Sequence, residues 1–311
     1  MAQRCIGVDI GGTKIATAVL DGADLSTPKA VPTETGSTGA LLEQLTRAIR
    51  EAADGDEHAL VGIGCPSVID FATGTARSSV NIPLQGVALR QELGERTGLE
   101  VVVDNDATVA ALAEATDDAT GEVVVDSLVM LTVGTGVGGG IIIGGRIYRG
   151  ATGAAAELGH MIIAGDLRRG APAGQKRFPQ PASLEALAAG RVLDALGLEH
   201  GYADGPAVVT AARAGRQDAI DALALLGARL GVGIANLINI FDPQEVVVGG
   251  GAGSAAGDFV LQPAIAAAWP LVLPGIGTAT TIRLARHAGG AGVLGAALLA
   301  RTEIGGTVPA A

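Results

Sequence analysis

The sequence predicts an α/β fold that is built twice, as two domains around a central cleft. Apolar strands alternate with amphipathic helices along the first half of the chain. A strand, a glycine-rich turn and a second strand open the sequence, and the same unit returns near residue 128. Such a repeat is typical of a duplicated fold, in which two glycine turns face one ligand.

The first half is predicted to contain four strands and three helices. Strands are expected at 5–10 (CIGVDI), 15–22 (IATAVLDG), 59–66 (ALVGIGCP) and 100–106 (EVVVDND), and helices at 40–53, 88–98 and 107–115. The helix at 40–53 repeats apolar residues at helical spacing, which puts Leu41, Leu42, Leu45, Ala48 and Ile49 on one face.

The second half begins after a polar, acidic connector, TDDATGEVVVDS at 116–127, in which VVV leaves open a short strand. Residues 127–150, SLVMLTVGTGVGGGIIIGGRIYRG, are predicted to form a strand, a glycine-rich turn and a strand. Long helices follow, and VVVGGGAG at 246–253 is predicted to be a late strand and turn.

Composition excludes several classes of function. Hydrophobic residues make up 48% of the 311 residues but aromatic residues only 2%, which disfavours stacking on nucleobases. A net charge of −11 disfavours general binding to a phosphate backbone. The only cysteines, Cys5 and Cys65, are too few for a disulfide framework. No signal peptide and no apolar run of ~18 residues is evident, so we expect a cytoplasmic protein without a membrane span.

The two glycine turns, 9–14 (DIGGTK) and 134–140 (GTGVGGG), suit the binding of an anion. Glycine allows backbone N–H groups to approach phosphate oxygens, because it has no Cβ and tolerates positive φ. Each turn alone is equally consistent with a simple hairpin. Neither turn fits a P-loop or a dinucleotide fingerprint, since a strand rather than a helix follows the glycines.

Two segments carry carboxylates suited to chemistry. The strand at 100–106 ends in Asp104, Asn105 and Asp106, and ligands of α/β sheets bind at the carboxyl ends of strands. Asp106 is a candidate base, although it would also serve simply as a helix N-cap. In the second segment Glu157 and His160 are three residues apart, a pattern that is also compatible with a purely structural histidine.

Taken together, the motifs resemble one family, the ROK family of sugar kinases and sugar-responsive repressors. The similar segments are, in order, DIGGTK (9–14), GCPSVID (64–70), NIP (81–83), DNDATVAALAE (104–114), GTGVGGGIIIGGRIYRGATGAAAELGH (134–160) and VVVGGG (246–251). The resemblance implies an actin-like, hexokinase-like (ribonuclease H-like) fold. It further implies a small domain formed by residues 1–113 with a returning C-terminal helix, 290–311, and a large domain at 114–289.

The same resemblance implies an ATP-dependent hexose kinase acting on the 6-hydroxyl of glucose or a related hexose, with Mg²⁺. Asp106 falls on the catalytic base of the family. The implied sugar ligands are Gly64, Asn81, Asn105, Asp106, Glu157, His160 and Glu185. The implied ATP-binding residues are Asp9, Gly11, Gly12, Thr13, Lys14, Gly134, Thr135, Gly136, Gly249 and Gly250. Domain closure would exclude water, and a homodimer is expected.

The sequence departs from the family pattern after Glu157 and His160. Most members carry three cysteines there that bind a structural zinc together with the motif histidine, whereas residues 161–190 contain no cysteine. Aligning SLEALAAG puts Ser183 in place of the last cysteine and Glu185 on the terminal sugar ligand. We therefore predict a zinc-free protein in which a protein hydrogen bond holds the second ring nitrogen of His160.

Several alternatives stay open at this level. The loop at 166–181 carries Arg168, Arg169, Lys176 and Arg177 and is either a solvated surface or an anion site, which keeps polyphosphate open as a donor. N-acetylmannosamine, N-acetylglucosamine, fructose or an amino-hexose are alternative substrates. A repressor would need a DNA-binding segment, for which the few residues before the first strand leave no room. A catalytically idle sugar-binding or assembly protein is a third possibility.

Overall fold

The computed structural model describes residues 3–79, 81–166, 168, 170–171, 174–287 and 289–306. The chain forms two compact units. Unit 1 comprises Met1–Asp126, Gly140–Ala156 and Gly289–Ala311, and unit 2 comprises Ser127–Gly139 and Glu157–Ala288.

Both units contain strands and helices. The strands are β1 (Cys5–Ile10), β2 (Lys14–Asp21), β3 (Asp24–Leu25), β4 (Lys29–Pro32), β5 (Leu60–Cys65), β6 (Ser67–Asp70), β7 (Thr75–Ser79), β8 (Glu100–Asn105), β9 (Ser127–Val133), β10 (Val137–Ile143), β11 (Arg146–Ile147), β12 (Glu245–Gly249) and β13 (Thr281–Leu284). The α-helices are α1 (Thr38–Ala53), α2 (Leu89–Thr97), α3 (Asp106–Ala115), α4 (Leu184–Ala188), α5 (Gly190–Glu199), α6 (Gly205–Arg213), α7 (Gln217–Phe241), α8 (Gly250–Ala256), α9 (Asp258–Ala268) and α10 (Ala291–Glu303).

The sheet of unit 1 has the strand order β3-β2-β1-β5-β8, and β4 also pairs with β2. Strands β1, β5 and β8 are parallel, and β2 returns antiparallel to β1. Every strand and helix predicted for the first half is present. Helix α1 buries Leu41, Leu42, Leu45 and Ile49, as its apolar spacing predicts, while Ala48 is only partly buried.

Glycines allow helix α10 to pack on this sheet at very short range. A Cβ added to Gly62 of β5 would lie 1.7 Å from the carbonyl oxygen of Ala296, and one added to Gly7 of β1 would lie 2.0 Å from that of Val293. Gly295 faces α3 in the same way, 1.8 Å from the carbonyl oxygen of Val109. Since no side chain fits at these distances, glycine sets the position of α10.

A second sheet has the order β11-β10-β9-β12-β13, and the boundary between the units falls inside β10. Strand β12 is parallel to both β9 and β13. The predicted strand–turn–strand unit is present as β9 and β10. The VVV segment of the connector does not form a strand; Val123 makes an isolated bridge to Thr116 instead.

Helix α7 is the central helix of unit 2. It packs against α9 so closely that a Cβ at Gly227 would lie 2.3 Å from the carbonyl oxygen of Val260, and one at Gly231 would lie 2.5 Å from that of Ala264. Among the described residues, α7 alone is long and apolar enough to cross a membrane by length and composition, a test that buried core helices also pass. Its most apolar window is 56% buried, which suits a core helix.

The division into units differs from the predicted domain ranges in two segments and at residue 289. Residues 114–126 and 140–156 lie in unit 1, whereas the sequence-based boundaries assign both to the large domain. Packing on α3 accounts for the second segment, because a Cβ at Gly140 would lie 2.5 Å from Cβ of Ala111. The functional domain ranges, 1–113 with 290–311 and 114–289, stay a prediction.

Candidate active site

Unit 1 gathers predicted site residues where neighbouring parallel strands end. Asp9 of β1 is in register with Gly64 of β5, and Gly64 is in register with Asp104 of β8. Asn105 is the last residue of β8, and Asp106 is the first residue of α3. This is the edge at which α/β sheets bind ligands, so the sequence-based placement of these residues at strand ends holds.

The Asp9 carboxylate lies close to a second carboxylate. Burial and, to a smaller extent, the charge of Asp106 raise the pKa of Asp9 to about 6, while the Lys14 ammonium opposes the rise. A Cβ added to Gly292, in the first turn of α10, would lie 2.5 Å from Oδ2 of Asp9. Two such carboxylates form a site that retains a proton or attracts a cation.

Asn105, rather than Asp106, is the N-cap of α3. Its Oδ1 accepts hydrogen bonds from the N–H groups of Ala107, at 2.9 Å, and Thr108, at 3.1 Å. The alternative interpretation of Asp106 as an N-cap is therefore wrong by one residue. Asn105 also donates from Nδ2 to the carbonyl of Ser67 at 3.3 Å.

The first glycine turn is a hairpin tied to the segment after β4. The Gly11 N–H donates to the Lys14 carbonyl at 2.9 Å. Thr33 donates from Oγ1 to the Gly11 carbonyl at 2.7 Å and from its N–H to the Thr13 carbonyl at 3.1 Å. A Cβ added to Gly12 would meet Cβ of Asn81 at 3.7 Å, an ordinary contact distance, so the turn lies beside that predicted sugar ligand.

The second glycine turn lies against the predicted sugar ligand Glu185. Oε2 of Glu185 accepts a hydrogen bond from the Val137 N–H at 2.8 Å, and Oε1 is 3.2 Å from Nη2 of Arg191. A Cβ on Gly136 would lie 2.3 Å from Oε2 of Glu185. Residue 136 is therefore glycine because Glu185 occupies the space a side chain would need.

The segment with Glu157 and His160 packs on the same residue, Val137. A Cβ on Gly159, between the two, would lie 2.0 Å from the Val137 carbonyl oxygen. The Glu157 and His160 side chains are 52% and 37% exposed. Unit 2 thus brings its three predicted sugar ligands together with the turn at 134–136 around the start of β10.

The late glycines have a packing role that is sufficient to explain them. A Cβ on Gly249 would lie 2.8 Å from Cε of Met130, and one on Gly250 would lie 2.5 Å from the carbonyl oxygen of Val133. Gly250 also has φ of +80°. Strand β12 and the start of α8 approach β9 too closely for any side chain, so the assignment of both residues to adenosine binding stays a prediction.

The ring of His160 is held differently from the prediction. Its Nε2 lies 3.9 Å from Oε2 of Glu157, which is beyond hydrogen-bond distance. The ring instead makes a T-shaped contact with the Phe178 ring, with ring centroids 5.4 Å apart and planes at 82°. In the described part of the chain, this aromatic contact replaces the predicted hydrogen bond.

The residues around His160 do not fit a structural zinc site. Ser183, in place of the family's last cysteine, caps α4 by accepting a hydrogen bond from the Ala186 N–H at 3.2 Å. Both cysteines are buried in unit 1, at positions 5 and 65. The described residues contain no group of three or more histidine, cysteine, aspartate or glutamate side chains able to hold a metal.

In the described part of the loop at 166–181, Gln175 and Gln180 hydrogen-bond to each other. Gln180 accepts from the Gln175 N–H and donates to the Gln175 carbonyl, both at 2.8 Å. At its base the Ile163 N–H donates to the Ala182 carbonyl at 2.9 Å. Arg168, Lys176 and Arg177 are exposed, and Arg169 lies outside the described residues. These contacts suit a solvated surface loop.

Sequence reasoning did not identify Arg149. This residue follows β11 and pairs with the buried Asp104, next to the candidate base. The available signal was the second of two arginines, Arg146 and Arg149, within an otherwise small and apolar stretch, which is too weak to single out from one sequence.

The fold and the site define the class of the protein. Each sheet contains a hairpin followed by two parallel strands, in the orders β2-β1-β5-β8 and β10-β9-β12-β13, as in actin-like, hexokinase-like α/β proteins. The chain belongs to the ROK family, which it matches over residues 5–303. The fold class and the family resemblance predicted from the sequence are both confirmed.

Three relatives illustrate the similarity. A glucokinase of Streptomyces coelicolor is 38% identical over 275 residues, which cover 83% of this chain and 84% of that protein. The crystal structure of a ROK hexokinase from Thermus thermophilus has a TM-score of 0.80 and 36% identity, covering 98% of this chain and 100% of the other. A Streptomyces griseus ROK glucokinase in complex with glucose and AMPPNP has a TM-score of 0.78 and 32% identity, covering 96% and 99%.

Relatives also include a protein with a different named substrate. An N-acetyl-D-glucosamine kinase of Shigella boydii is 33% identical over 311 residues, covering 96% of this chain and 99% of that protein. Similarity over the whole chain therefore does not separate glucose from its 2-acetamido derivative.

Proposed function

We propose that this protein is an ATP-dependent hexose kinase that transfers a phosphoryl group to the 6-hydroxyl of glucose or a related hexose. The observation that carries the proposal is the position of Asp106, directly after β8 and within electrostatic reach of Asp9, in a chain of the ROK family. The named glucokinase relatives and the glucose and AMPPNP in one of them support it.

Asp106 is the general base in this proposal. It accepts the proton of the sugar hydroxyl as that oxygen attacks the terminal phosphate of ATP. Phosphoryl transfer has a loose transition state, so the remaining residues mainly position groups and neutralise charge. Gly64, Asn81, Asn105, Glu157, His160 and Glu185 are proposed to bind the sugar. Glu185 keeps free lone pairs for a hydroxyl although Val137 and Arg191 already contact it.

The glycine turns are proposed to bind ATP. Backbone N–H groups of Gly12, Thr13, Thr135 and Gly136 would bind the phosphates, Lys14 would add positive charge, and Gly249 and Gly250 would line the adenosine site. The N–H groups of Gly11 and Gly134 instead close the two turns, because they donate to the Lys14 and Gly136 carbonyls at 2.9 Å each. Mg²⁺ fits the donor set of unit 1, because Asp9 is a carboxylate held beside a second one. Asp9 would hold the ion, which when bound neutralises phosphate charge.

Cellular and assembly properties belong to the same proposal. We expect a cytoplasmic homodimer without zinc, on the basis of the family resemblance and of the cysteine-free segment 161–190. Light scattering after size-exclusion chromatography would test the dimer.

The main alternative is a different sugar. The N-acetyl-D-glucosamine kinase relative supports an amino-hexose or N-acetyl-hexosamine, which the same base and glycine turns would serve equally well. Polyphosphate is an alternative donor, with weaker support because it rests only on the exposed cations of the basic loop, Arg168, Lys176 and Arg177. A sugar-binding regulator without turnover is the remaining alternative.

A coupled ADP-release assay against glucose, fructose, N-acetylglucosamine, N-acetylmannosamine and glucosamine tests the proposal. We expect saturable turnover with at least one sugar, dependent on Mg²⁺. A parallel series with polyphosphate, followed through the sugar phosphate, separates the donors. Background rates with every sugar and both donors would contradict the kinase function.

A further inference from the structure

Arg149 joins three segments of unit 1 through one guanidinium group. Its Nε lies 2.7 Å from Oδ2 of Asp104, at the end of β8, and its Nη2 lies 2.7 Å from Oε1 of Glu303, in the last turn of α10. Its guanidinium carbon lies 3.5 Å from the ring centroid of Phe71, between β6 and β7. The side chain is only 19% exposed.

The contact with Asp104 is a buried ion pair. The Asp104 side chain is 3% exposed. Burial raises the pKa of the Asp104 carboxyl, and the charge and hydrogen bond of Arg149 oppose that rise. Removing one partner of such a pair leaves an unpaired buried charge. Arginine suits this place better than lysine, because its planar group stacks on the ring while its separate N–H groups reach two carboxylates.

Asp104 transmits this anchoring to the candidate base. Its second oxygen, Oδ1, accepts a hydrogen bond from the Asn105 N–H at 2.8 Å. Asn105 in turn caps α3 through Ala107 and Thr108, and the first residue of that helix is Asp106. The backbone from which Asp106 projects is therefore fixed by a chain of contacts that begins at Arg149. The Asp106 carboxylate meets the end of this chain, because its Oδ1 accepts a hydrogen bond from the Ala107 N–H at 2.9 Å.

The backbone of Arg149 also fixes the loop that leads to Glu157. The Arg149 carbonyl accepts from the Ala155 N–H at 3.2 Å. A Cβ on Gly153 would lie 2.3 Å from the Ile69 carbonyl oxygen, so this loop packs directly on the β6–β7 hairpin. One residue thus orders both the segment before the base and the segment before a sugar ligand.

We propose that Arg149 is a positioning residue for phosphoryl transfer, acting through Asp104 on the orientation of Asp106. This inference rests on the proposed kinase function. It predicts that substitution of Arg149 lowers kcat and weakens sugar binding but leaves ATP binding unchanged. The reason is that the ATP-binding turns are not part of the chain of contacts from Arg149 to Asp106.

The test is the kinetics of Arg149→Met, which keeps the length of the side chain but removes its charge and N–H groups. We expect kcat to fall about tenfold or more, since small displacements of a reacting group cost that much, while KM for ATP changes less than about twofold. Arg149→Lys should recover only part of kcat, because one ammonium cannot replace the stacked guanidinium.

The matched control is Arg283→Met in unit 2. Arg283 is 20% exposed and pairs with Glu245 at 2.6 Å, so it resembles Arg149 in burial and in ionic contact. A general effect of losing a half-buried arginine would lower stability in both variants. At a temperature where both variants are folded, Arg149→Met should lower kcat and Arg283→Met should not.

A double variant, Asp104→Asn with Arg149→Met, keeps the experiment decisive if the single variant does not fold. It leaves no unpaired buried charge at position 104 and retains an oxygen for the Asn105 N–H. The other partner of Arg149, Glu303, is 33% exposed and its carboxylate is reached by water. A folded double variant with reduced kcat and unchanged KM for ATP supports the inference. Wild-type kcat in either folded variant overturns it and leaves the kinase function intact, whereas wild-type protein inactive on every sugar contradicts the kinase function and this inference together.

Discussion

Asp106 and Asn105 are neighbours with separable tasks, so a substitution at Asp106 tests the base alone. In Asp106→Asn we expect kcat to fall by about 10² or more, because the amide cannot accept the sugar proton. Sugar affinity and the fold should survive, since the cap of α3 is supplied by Asn105. Calorimetric titration of the sugar and steady-state kinetics measure the two properties.

Asp258→Asn is the control for this substitution. Asp258 is likewise the first residue of a helix, α9, and is exposed. It should leave kcat unchanged. Near wild-type turnover in Asp106→Asn would remove Asp106 from the role of base.

Asp9 links the site to the pH dependence of stability. Its folded-state pKa of about 6 lies above the ordinary value of 3.8. The folded state therefore binds this proton more tightly than the unfolded state, and the resulting stability is complete below about pH 4 and is lost as pH rises through about 6. In Asp9→Asn the free energy of unfolding should rise relative to wild type by on the order of 2 kcal/mol at pH 7.5.

Urea unfolding of both proteins at pH 5 and pH 7.5 measures this linkage. The advantage of Asp9→Asn should be smaller at pH 5, where wild-type Asp9 is largely protonated. An equal difference at the two pH values would show that Asp9 titrates normally. The lower free energy of unfolding of wild type at neutral pH would then be the consequence of keeping a carboxylate at the site.

The position of Asn105 and Asp106 at a strand end was predictable from the sequence, but the separate role of each residue was not. The apolar run before Asp104 locates Asn105 and Asp106 at the edge of a sheet, where ligands bind. Which of the two caps α3 depends on a shift of one residue, which lies within the error of any helix boundary. The reason for glycine at 136 was not predictable either, because Glu185 lies 49 positions further along the chain and meets it only in the fold.

The contact between Gly62 of β5 and helix α10 allows a prediction about the packing of these two elements. A Cβ at Gly62 would lie 1.7 Å from the Ala296 carbonyl oxygen, so Gly62→Ala must displace α10 or β5. We expect the free energy of unfolding to fall by about 3 kcal/mol, the upper part of the range for overpacking. Gly39, in α1, has open space around its Cβ position.

Gly39→Ala is the matched control, and urea unfolding of both variants gives the comparison. It should be neutral or stabilise the protein by about 0.5–1 kcal/mol, because alanine favours a helix. Wild-type stability in Gly62→Ala would mean that the helix and the strand have room to separate.

Elements with strong periodicity were predictable, whereas short polar ones were not. The apolar runs of β5 and β8 and the helical spacing of α1 identify these elements from sequence alone. The hairpin of β6 and β7 and the edge strand β4 contain polar or exposed residues without alternation, for example TARSS in β7. They become strands because a neighbouring strand pairs with them, which is tertiary information.

At the level of the whole molecule the duplication is visible in the sheets. Both place a hairpin strand beside the first strand and then two parallel strands. A repeated strand–glycine turn–strand pattern was sufficient to predict this, because each unit needs a tight turn at the same point. The division of the chain at β10 was not predictable, since it depends on the close packing of Gly140 on α3.

The metal requirement is a property of the whole protein, and we expect Mg²⁺ dependence without zinc. The ring of His160 makes a T-shaped contact with that of Phe178. Ser183, at the position of the family's last cysteine, is fully buried and already serves as a helix cap. Neither residue supplies a thiolate, and a tetrahedral zinc site needs four ligands. Purified protein should contain well under one equivalent of zinc by elemental analysis.

After exhaustive chelation, Mg²⁺ alone should restore full activity. If the Phe178 ring positions His160, Phe178→Ala should raise KM for the sugar and leave KM for ATP unchanged. Stoichiometric zinc, or activity that returns only when zinc is added, would mean that the cysteine-free segment binds metal through ligands other than those of the family.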